Sequence, residues 1–374
     1  KIHLLINNIN IFSHGYFPLR KNIREKKYMR FTRVCIDAFG YELPLNVVSS
    51  EDLEDRLTPL YRALRFPRGQ LETLTGIQER RLWDQGFKMA EGAVRAGRKA
   101  LAGSGVDPEE IGMLIYGGVC RDNIEPATAC AVSHGLNLPP QTQVFDVSNA
   151  CLGVLNGMVL IANAIELGQI RAGLIAACET SREIIDITVD QLNASCDMNF
   201  FKKNIATLTG GSGAVAVLLT EASLSRSGHR LIGGTVRHAN EHHKLCLWGA
   251  ETDTTPDGRH FIETDSMGIL SNGVRLGNDT FMAFKRELGW SADQPDRIIC
   301  HQVGRTHQKN ILTAIGVPAE KDFTTYRYLG NVGSVSLPIT AAIADDRGVI
   351  HRGERVGFLG IGSGLNCLML GIEW

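Results

Sequence analysis

The sequence predicts an α/β protein with mainly parallel strands, assembled from two similar halves. Short buried-strand runs at 113–116, 174–178, 215–219 and 297–300 alternate with longer helical patterns around 84–103 and 151–168. That alternation is the signature of α/β folds. A faint internal repeat relates the halves: Cys151 to Leu174 and Ser334 to Gly357 are both 23 residues, each running from a helix through a glycine into a strand. A glycine-rich segment also closes each half, Gly210-Gly211-Ser212-Gly213 before one strand and Gly360-Ile361-Gly362-Ser363-Gly364 before the other. The expected halves are 29–228 and 229–374.

A chain of 374 residues can bury a large core and accommodates two fused halves. Hydrophobic content of 44% with 21% charged residues is ordinary for a soluble globular protein. The net charge of −1 gives no reason to expect nucleic acid or an anionic membrane as partner, and no apolar run has the length of a bilayer span. Nine scattered cysteines, an odd number without any C-x-x-C pair, predict reduced thiols in a cytoplasmic protein. Residues 1–28 carry six basic residues against Glu25, a charge of +5 that leaves −6 for the remainder. Their apolar part precedes their basic part, the reverse of a secretory signal, so they are expected to be a leader outside the fold. The stretch 181–209 intrudes between two strands of the first half. Its apolar residues (Ile184, Ile185, Ile187, Met198, Phe200, Phe201) suit either a cap over a tunnel or a surface excursion.

Chemistry points first to Cys151. A short strand at 144–147 breaks through Ser148-Asn149-Ala150 into a helix that is apolar on every face, and such a helix is buried. A thiol at the N-terminus of a buried helix meets unpaired N–H groups and the positive end of the macrodipole, so a thiolate near neutral pH is expected there. That would make a nucleophile without metal or cofactor. A free cysteine packed as a small hydrophobe is the bland alternative. His301 follows the strand 297–300, at the carboxyl end where α/β proteins place their chemistry. Asn331 sits in Gly330-Asn331-Val332-Gly333-Ser334 before another helix, where it could be only an N-cap or could donate to a developing enolate. The glycine-rich 360–364 segment offers backbone N–H groups, so Gly362 and Ser363 with the N–H of Cys151 are the candidate oxyanion hole. It is no dinucleotide fingerprint, since G-x-G-x-x-G would need glycine at Leu365.

The strings DVSNACLG, HQVGRTH, GNVGSVSLP and GIGSGLN, in this order, resemble the thiolase superfamily in the branch of β-ketoacyl-ACP synthase III. The resemblance covers about Met29 to Trp374. It implies two fused βαβαβαββ halves in a five-layer αβαβα arrangement, a homodimer, and a catalytic triad of Cys151, His301 and Asn331. Departures narrow the branch. Gly304 stands where synthase III usually has asparagine, GNVGSVS replaces the usual GNTSAAS, and Gln70 and Leu74 fall where the housekeeping enzymes hold the CoA adenine. RRLWDQ, RDNIEPATA, HKLC and GIGSGLNC are instead similar to OleA-type enzymes, which join two fatty acyl-CoAs head to head.

In that resemblance the loop containing Arg121 and Glu125 crosses to the partner active site, with Glu125 as the base that removes an α-proton. Arg121, Gly304 and Gly333 are the remaining expected substrate-binding positions. The implied reaction is non-decarboxylative Claisen condensation of two acyl-CoA thioesters through acyl-Cys151, giving a 2-alkyl-3-oxo acid. No cofactor or metal is expected beyond the coenzyme A thioesters; an acyl carrier protein is a further candidate partner. Two alternatives stay open: decarboxylative condensation with malonyl-ACP, and a thioester hydrolase or acyl transferase. His238 and His242 could ligate a metal only from a helix face, and His307 is expected to point away from His301.

Overall fold

The computed structural model describes residues 29–250 and 260–374, so the expected leader, 1–28, lies outside the described residues. The first half supplies β1 (Val34–Glu42), β2 (Asn46–Ser49), β3 (Glu79–Leu82), β4 (Ile111–Tyr116), β5 (Gln143–Asp146), β6 (Ala172–Glu179) and β7 (Gly213–Glu221). The second supplies β8 (His229–His238), β9 (Cys246–Ala250), β10 (His260–Thr264), β11 (Arg297–Cys300), β12 (Arg355–Gly362) and β13 (Asn366–Glu373).

Nine strands run in the order β11-β12-β13-β8-β1-β7-β6-β4-β5, and the pairings make the duplication explicit. In the first half β4 is parallel to β5 and β6, while β6–β7 and β7–β1 are antiparallel. In the second, β11 is parallel to β12, and β12–β13 and β13–β8 are antiparallel. The counterpart of β5 is reduced to a single parallel bridge between Ile298 and Asp322. Two residue pairs, Cys35 with Arg230 and Ile36 with His229, join the halves.

Strand alternation builds the layers. Val215, Val217 and Leu219 of β7 enter a central cluster with the helices Gly153–Glu166 and Ser336–Asp346, and Leu368, Leu370 and Ile372 of β13 enter it from the other side. The intervening Ala214, Ala216 and Leu218 face the helices Met89–Ser104 and Thr128–Leu136. Cys367 and Met369 face Ser266–Leu288 and Arg305–Ile315. The result is helix, sheet, helix, sheet, helix: the five-layer thiolase arrangement.

A cap lies outside these layers. Helices Ser50–Arg56, Thr58–Leu64 and Gln70–Thr75, between β2 and β3, pack through Leu53, Leu57, Leu60 and Leu71. Against them lie Ile185, Val189, Leu192 and Phe201 of Arg182–Ser195 and Met198–Asn204. Each such side chain contributes roughly 1.5–3 kcal/mol when fully buried, so the 181–209 stretch is held firmly. Arg80 of β3, 0% exposed, ties the cap down by donating to the Leu208 carbonyl (3.3 Å) and Ser50 Oγ (3.2 Å). Among the described residues no helix is long and apolar enough to cross a membrane.

Candidate active site

The helix after β5 begins at Gly153, two residues later than the sequence suggested, with Leu152 as its N-cap. Glycine is needed there because a Cβ on Gly153 would lie 1.9 Å from the Gly117 carbonyl oxygen. Cys151 therefore stands in the turn before the helix. Ala150, at φ +46°, holds the left-handed conformation that alanine rarely adopts, and the Leu152 amide closes the turn onto Asn149 O at 2.9 Å.

That turn presents the thiol to a cavity of about 380 Å3, whose wall includes His301, Asn331, Gly333, Gly362 and Ser363. Six of the expected site residues, from both halves, thus share one space. The carboxyl ends of β11 and β12 and the loop before Gly333–Val335 bring the second half to the thiol. Gly362 packs directly on Cys151: a Cβ there would be 3.2 Å from the Cys151 nitrogen. Asn366 Nδ2 fastens the glycine hairpin to the nucleophile turn, reaching Ser363 O (3.3 Å) and Asn149 Oδ1 (3.4 Å).

The amide of Asn331 is oriented by its oxygen. Oδ1 accepts from Gly333 N–H (3.1 Å) and from the Ser336 hydroxyl (3.3 Å), so Nδ2 is the end left to donate. His301 is 6% exposed, and its ring has no hydrogen-bond partner among the described residues. Burial, reinforced by His307, pushes its pKa down to about 3, which keeps the imidazole neutral across the physiological range.

The thiol overturns one expectation. Burial, then the neighbouring Cys246 and Glu179, pushes the Cys151 pKa up from 9.0 to about 12. That displacement is worth about 4 kcal/mol at 1.36 kcal/mol per pH unit, whereas a helix N-terminus offers only about 0.3–2 kcal/mol. Cys151 also lies ahead of the first turn, where the helix effect is concentrated. Desolvation wins, and the resting thiol is protonated. The Cys151 N–H is the one opposing contribution. A neutral alkylating reagent such as iodoacetamide should therefore modify Cys151 slowly at neutral pH, with a rate that climbs about tenfold per pH unit and reaches no plateau below about pH 10. A profile with its midpoint near neutrality would contradict a protonated resting thiol.

A second cavity of about 440 Å3 adjoins the first, and Ala206, Ile269, Val303 and His307 line both. Met198, Phe201 and Ile205 of the cap form its apolar wall, and Gly304 (φ +147°) lies on it beside Leu74 and Thr75. His307 thus shares the first cavity with His301, against expectation. The helix starts only at Arg305, so its angular spacing does not extend back to His301.

Arg121 and Glu125 line neither cavity. Arg121, on the loop expected to serve the partner site, stands 3.8 Å from Asp146, whose carboxylate also caps the helix Thr128–Leu136 through Thr128 N and Ala129 N. Glu125 is exposed on the loop between β4 and that helix. Glu179, Cys246 and His307 are cavity residues that sequence reading did not select. A lone carboxylate ending a wholly apolar strand was the signal available for Glu179, since glutamate is rarely buried without partners. His238 ends β8 and His242 lies in a short 3-10 turn, so they share no helix face. Among the described residues no group of three or more metal-ligating side chains is assembled.

Residues 145–238 match the family described as 3-oxoacyl-[acyl-carrier-protein (ACP)] synthase III, and residues 286–374 match its C-terminal counterpart. The chain is 49% identical over 349 residues to an acyl-CoA:acyl-CoA alkyltransferase of Shewanella oneidensis, covering 92% of this chain and 100% of that protein. A protein of the same name from Xanthomonas campestris pv. campestris is 34% identical over 347 residues, with 92% and 100% coverage. Crystal structures of Xanthomonas campestris OleA superimpose closely. A cysteine-to-alanine variant gives a TM-score of 0.86 at 33% identity, covering 93% of this chain and 98% of that one. A cysteine-to-serine variant with bound lauric acid and lauroyl-CoA gives 0.85 at 34%, covering 92% and 100%. By sequence, by fold and by the residues gathered around Cys151, the chain belongs to the acyl-CoA:acyl-CoA alkyltransferase (OleA) family of thiolase-fold, synthase III-like condensing enzymes.

Proposed function

We propose that this protein joins two fatty acyl-CoA thioesters head to head, without decarboxylation, through an acyl-Cys151 intermediate. The observation that carries this reading is the convergence of a thiol, a neutral imidazole and an amide donor in one cavity that adjoins a second, largely apolar one. Both volumes suit small-molecule sites, which span about 300–1,000 Å3.

The chemistry proceeds from the protonation states. As the Cys151 sulfur attacks the first thioester carbonyl, neutral His301 takes the thiol proton and returns it to the departing CoA sulfur. The backbone N–H of Cys151, with that of Gly362 or Ser363, holds the transient oxyanion. The second acyl-CoA then places its thioester oxygen against His301 N–H and Asn331 Nδ2–H, which stabilise an enolate. With no carboxylate to lose, an α-proton must be removed by a base. The new C–C bond forms as the carbanion attacks acyl-Cys151 and the C–S bond breaks. Hydrolysis of the remaining thioester gives a 2-alkyl-3-oxo acid and a second CoA.

Glu125 of a second copy is that base. What supports this is how the loop is built. Its stem is held at Cys120 by Glu179, at Asp122 by the amides of Met89 and Ala90, and at Thr128 by Asp146. Only residues 123–126 stand clear, with Ile124 101% exposed, which leaves the Glu125 tip free to reach a second copy. The Xanthomonas campestris structures include substitutions of one cysteine and one glutamate, separated in sequence by the same interval as Cys151 and Glu125 here.

The test is product analysis with myristoyl-CoA, alone and with malonyl-ACP added. Two CoA released for each 2-alkyl-3-oxo acid is the expected result. Free fatty acid equal to the CoA released indicates a hydrolase, and condensation only with malonyl-ACP indicates the decarboxylating reaction; either result overturns the proposal.

A further inference from the structure

Glu179, the last residue of β6, is 4% exposed and lines the cavity of Cys151. Among the described residues it has no basic partner. Its oxygens instead accept four donors from two loops. Oε1 receives Val119 N–H (2.9 Å), Ser334 N–H (3.4 Å) and the Ser334 hydroxyl. Oε2 receives Cys120 N–H (3.0 Å). Its own carbonyl accepts from Trp83 Nε1 (3.1 Å), which fixes the backbone beneath the carboxylate. The two loops are the stem of the Glu125 loop and the turn that carries Asn331. The second is seated tightly: Gly333 has φ +57°, and a Cβ there would come within 3.3 Å of Glu179 Cγ and Cδ.

We propose that Glu179 is a positioning residue for condensation, a single carboxylate that clamps the Glu125 loop and the Asn331 turn into one fixed relation. The proposal rests on the reading of Glu125 and Asn331 given above. Glu179 is poorly placed to be the base itself, because backbone and hydroxyl donors already occupy both oxygens. Nor is it there to help the nucleophile, since its negative charge opposes thiolate formation at Cys151. A carboxylate is required because no neutral isostere accepts four donors. A glutamine would turn an N–H toward Cys120 N–H or toward Ser334, and one loop would be released.

The experiment compares the intact wild-type enzyme with Glu179→Gln in three readouts. Condensation should slow by about 10- to 100-fold, the scale of a charge-assisted bond lost or a catalytic group misplaced by about 1 Å. Formation of acyl-Cys151, followed by intact mass, should be retained, and iodoacetamide alkylation should shift to lower pH because the opposing charge is gone. Amide hydrogen exchange should rise in peptides covering 117–127 and 330–336 and remain unchanged elsewhere. A parallel fall of acylation and condensation would indicate a merely structural role and overturn the proposal, as would unchanged exchange in both loops. If Glu179→Gln does not fold, Ser334→Ala carries the test. It removes one donor from the Asn331 side, so increased exchange confined to 330–336, with slowed condensation, supports the clamp, and its absence refutes it. Failure of wild-type enzyme to condense acyl-CoA would instead overturn the function, a result read from a different sample.

Discussion

Replacing Cys151 by alanine should reduce turnover of acyl-CoA by about 10⁴-fold or more, because the covalent intermediate has no other place to form. Cys246 lines the same cavity, and no adduct is expected to form on it in the variant. Intact mass after incubation with acyl-CoA should show no acyl adduct in the variant and one per chain in the parent. The fold should be unaffected: the thiol borders an existing cavity, and removing it creates little new void, so the change in stability should stay below about 1 kcal/mol. An acyl adduct in Cys151→Ala, or turnover near the parental rate, would remove Cys151 from the chemistry.

Glu125→Ala separates the two half-reactions. Acylation of Cys151 needs only groups from its own chain and should proceed, so acyl-enzyme accumulates. Condensation should fall by about 10²–10⁴-fold, the usual contribution of a positioned base. Because Glu125 is exposed and tip residues 124–126 make no hydrogen bonds among the described residues, stability in the single chain should change by less than about 0.5 kcal/mol. Condensation at the parental rate would show that another group takes the α-proton.

Much of this architecture was legible in the residues because it is written as periodicity and order. The strand 297–300 was read at its observed limits, and the 23-residue repeat reported a real duplication of β-strand pairings, now seen in β6–β7 and β12–β13. Cys151, His301 and Asn331 could be named because each stands at a strand-to-helix or strand-to-loop junction within a distinctive string. What sequence could not supply was the balance of opposing environmental effects. The start of a helix is visible in a sequence; how dry its surroundings are is not. The thiol was accordingly expected near neutrality, and burial instead pushes it up to about 12. Glu179 escaped notice for a related reason. Its importance lies in four donors contributed by residues 119, 120 and 334, far from it in the chain, and no local pattern announces such a contact. His307 was misjudged because helical spacing was extended across residues that precede the helix.

The most direct test of the central claim, that one condensing site is assembled from the thiol of one chain and the carboxylate of another, is complementation. Cys151→Ala and Glu125→Ala subunits would be mixed, reassorted and assayed for the 2-alkyl-3-oxo acid. In a mixed dimer, the subunit that retains Cys151 receives Glu125 from its neighbour. Each such dimer then holds one complete site, and an equal mixture should recover about a quarter of the parental rate. If the carboxylate works only within its own chain, every site lacks one of the two groups. A mixture as inactive as either variant alone would contradict the shared site.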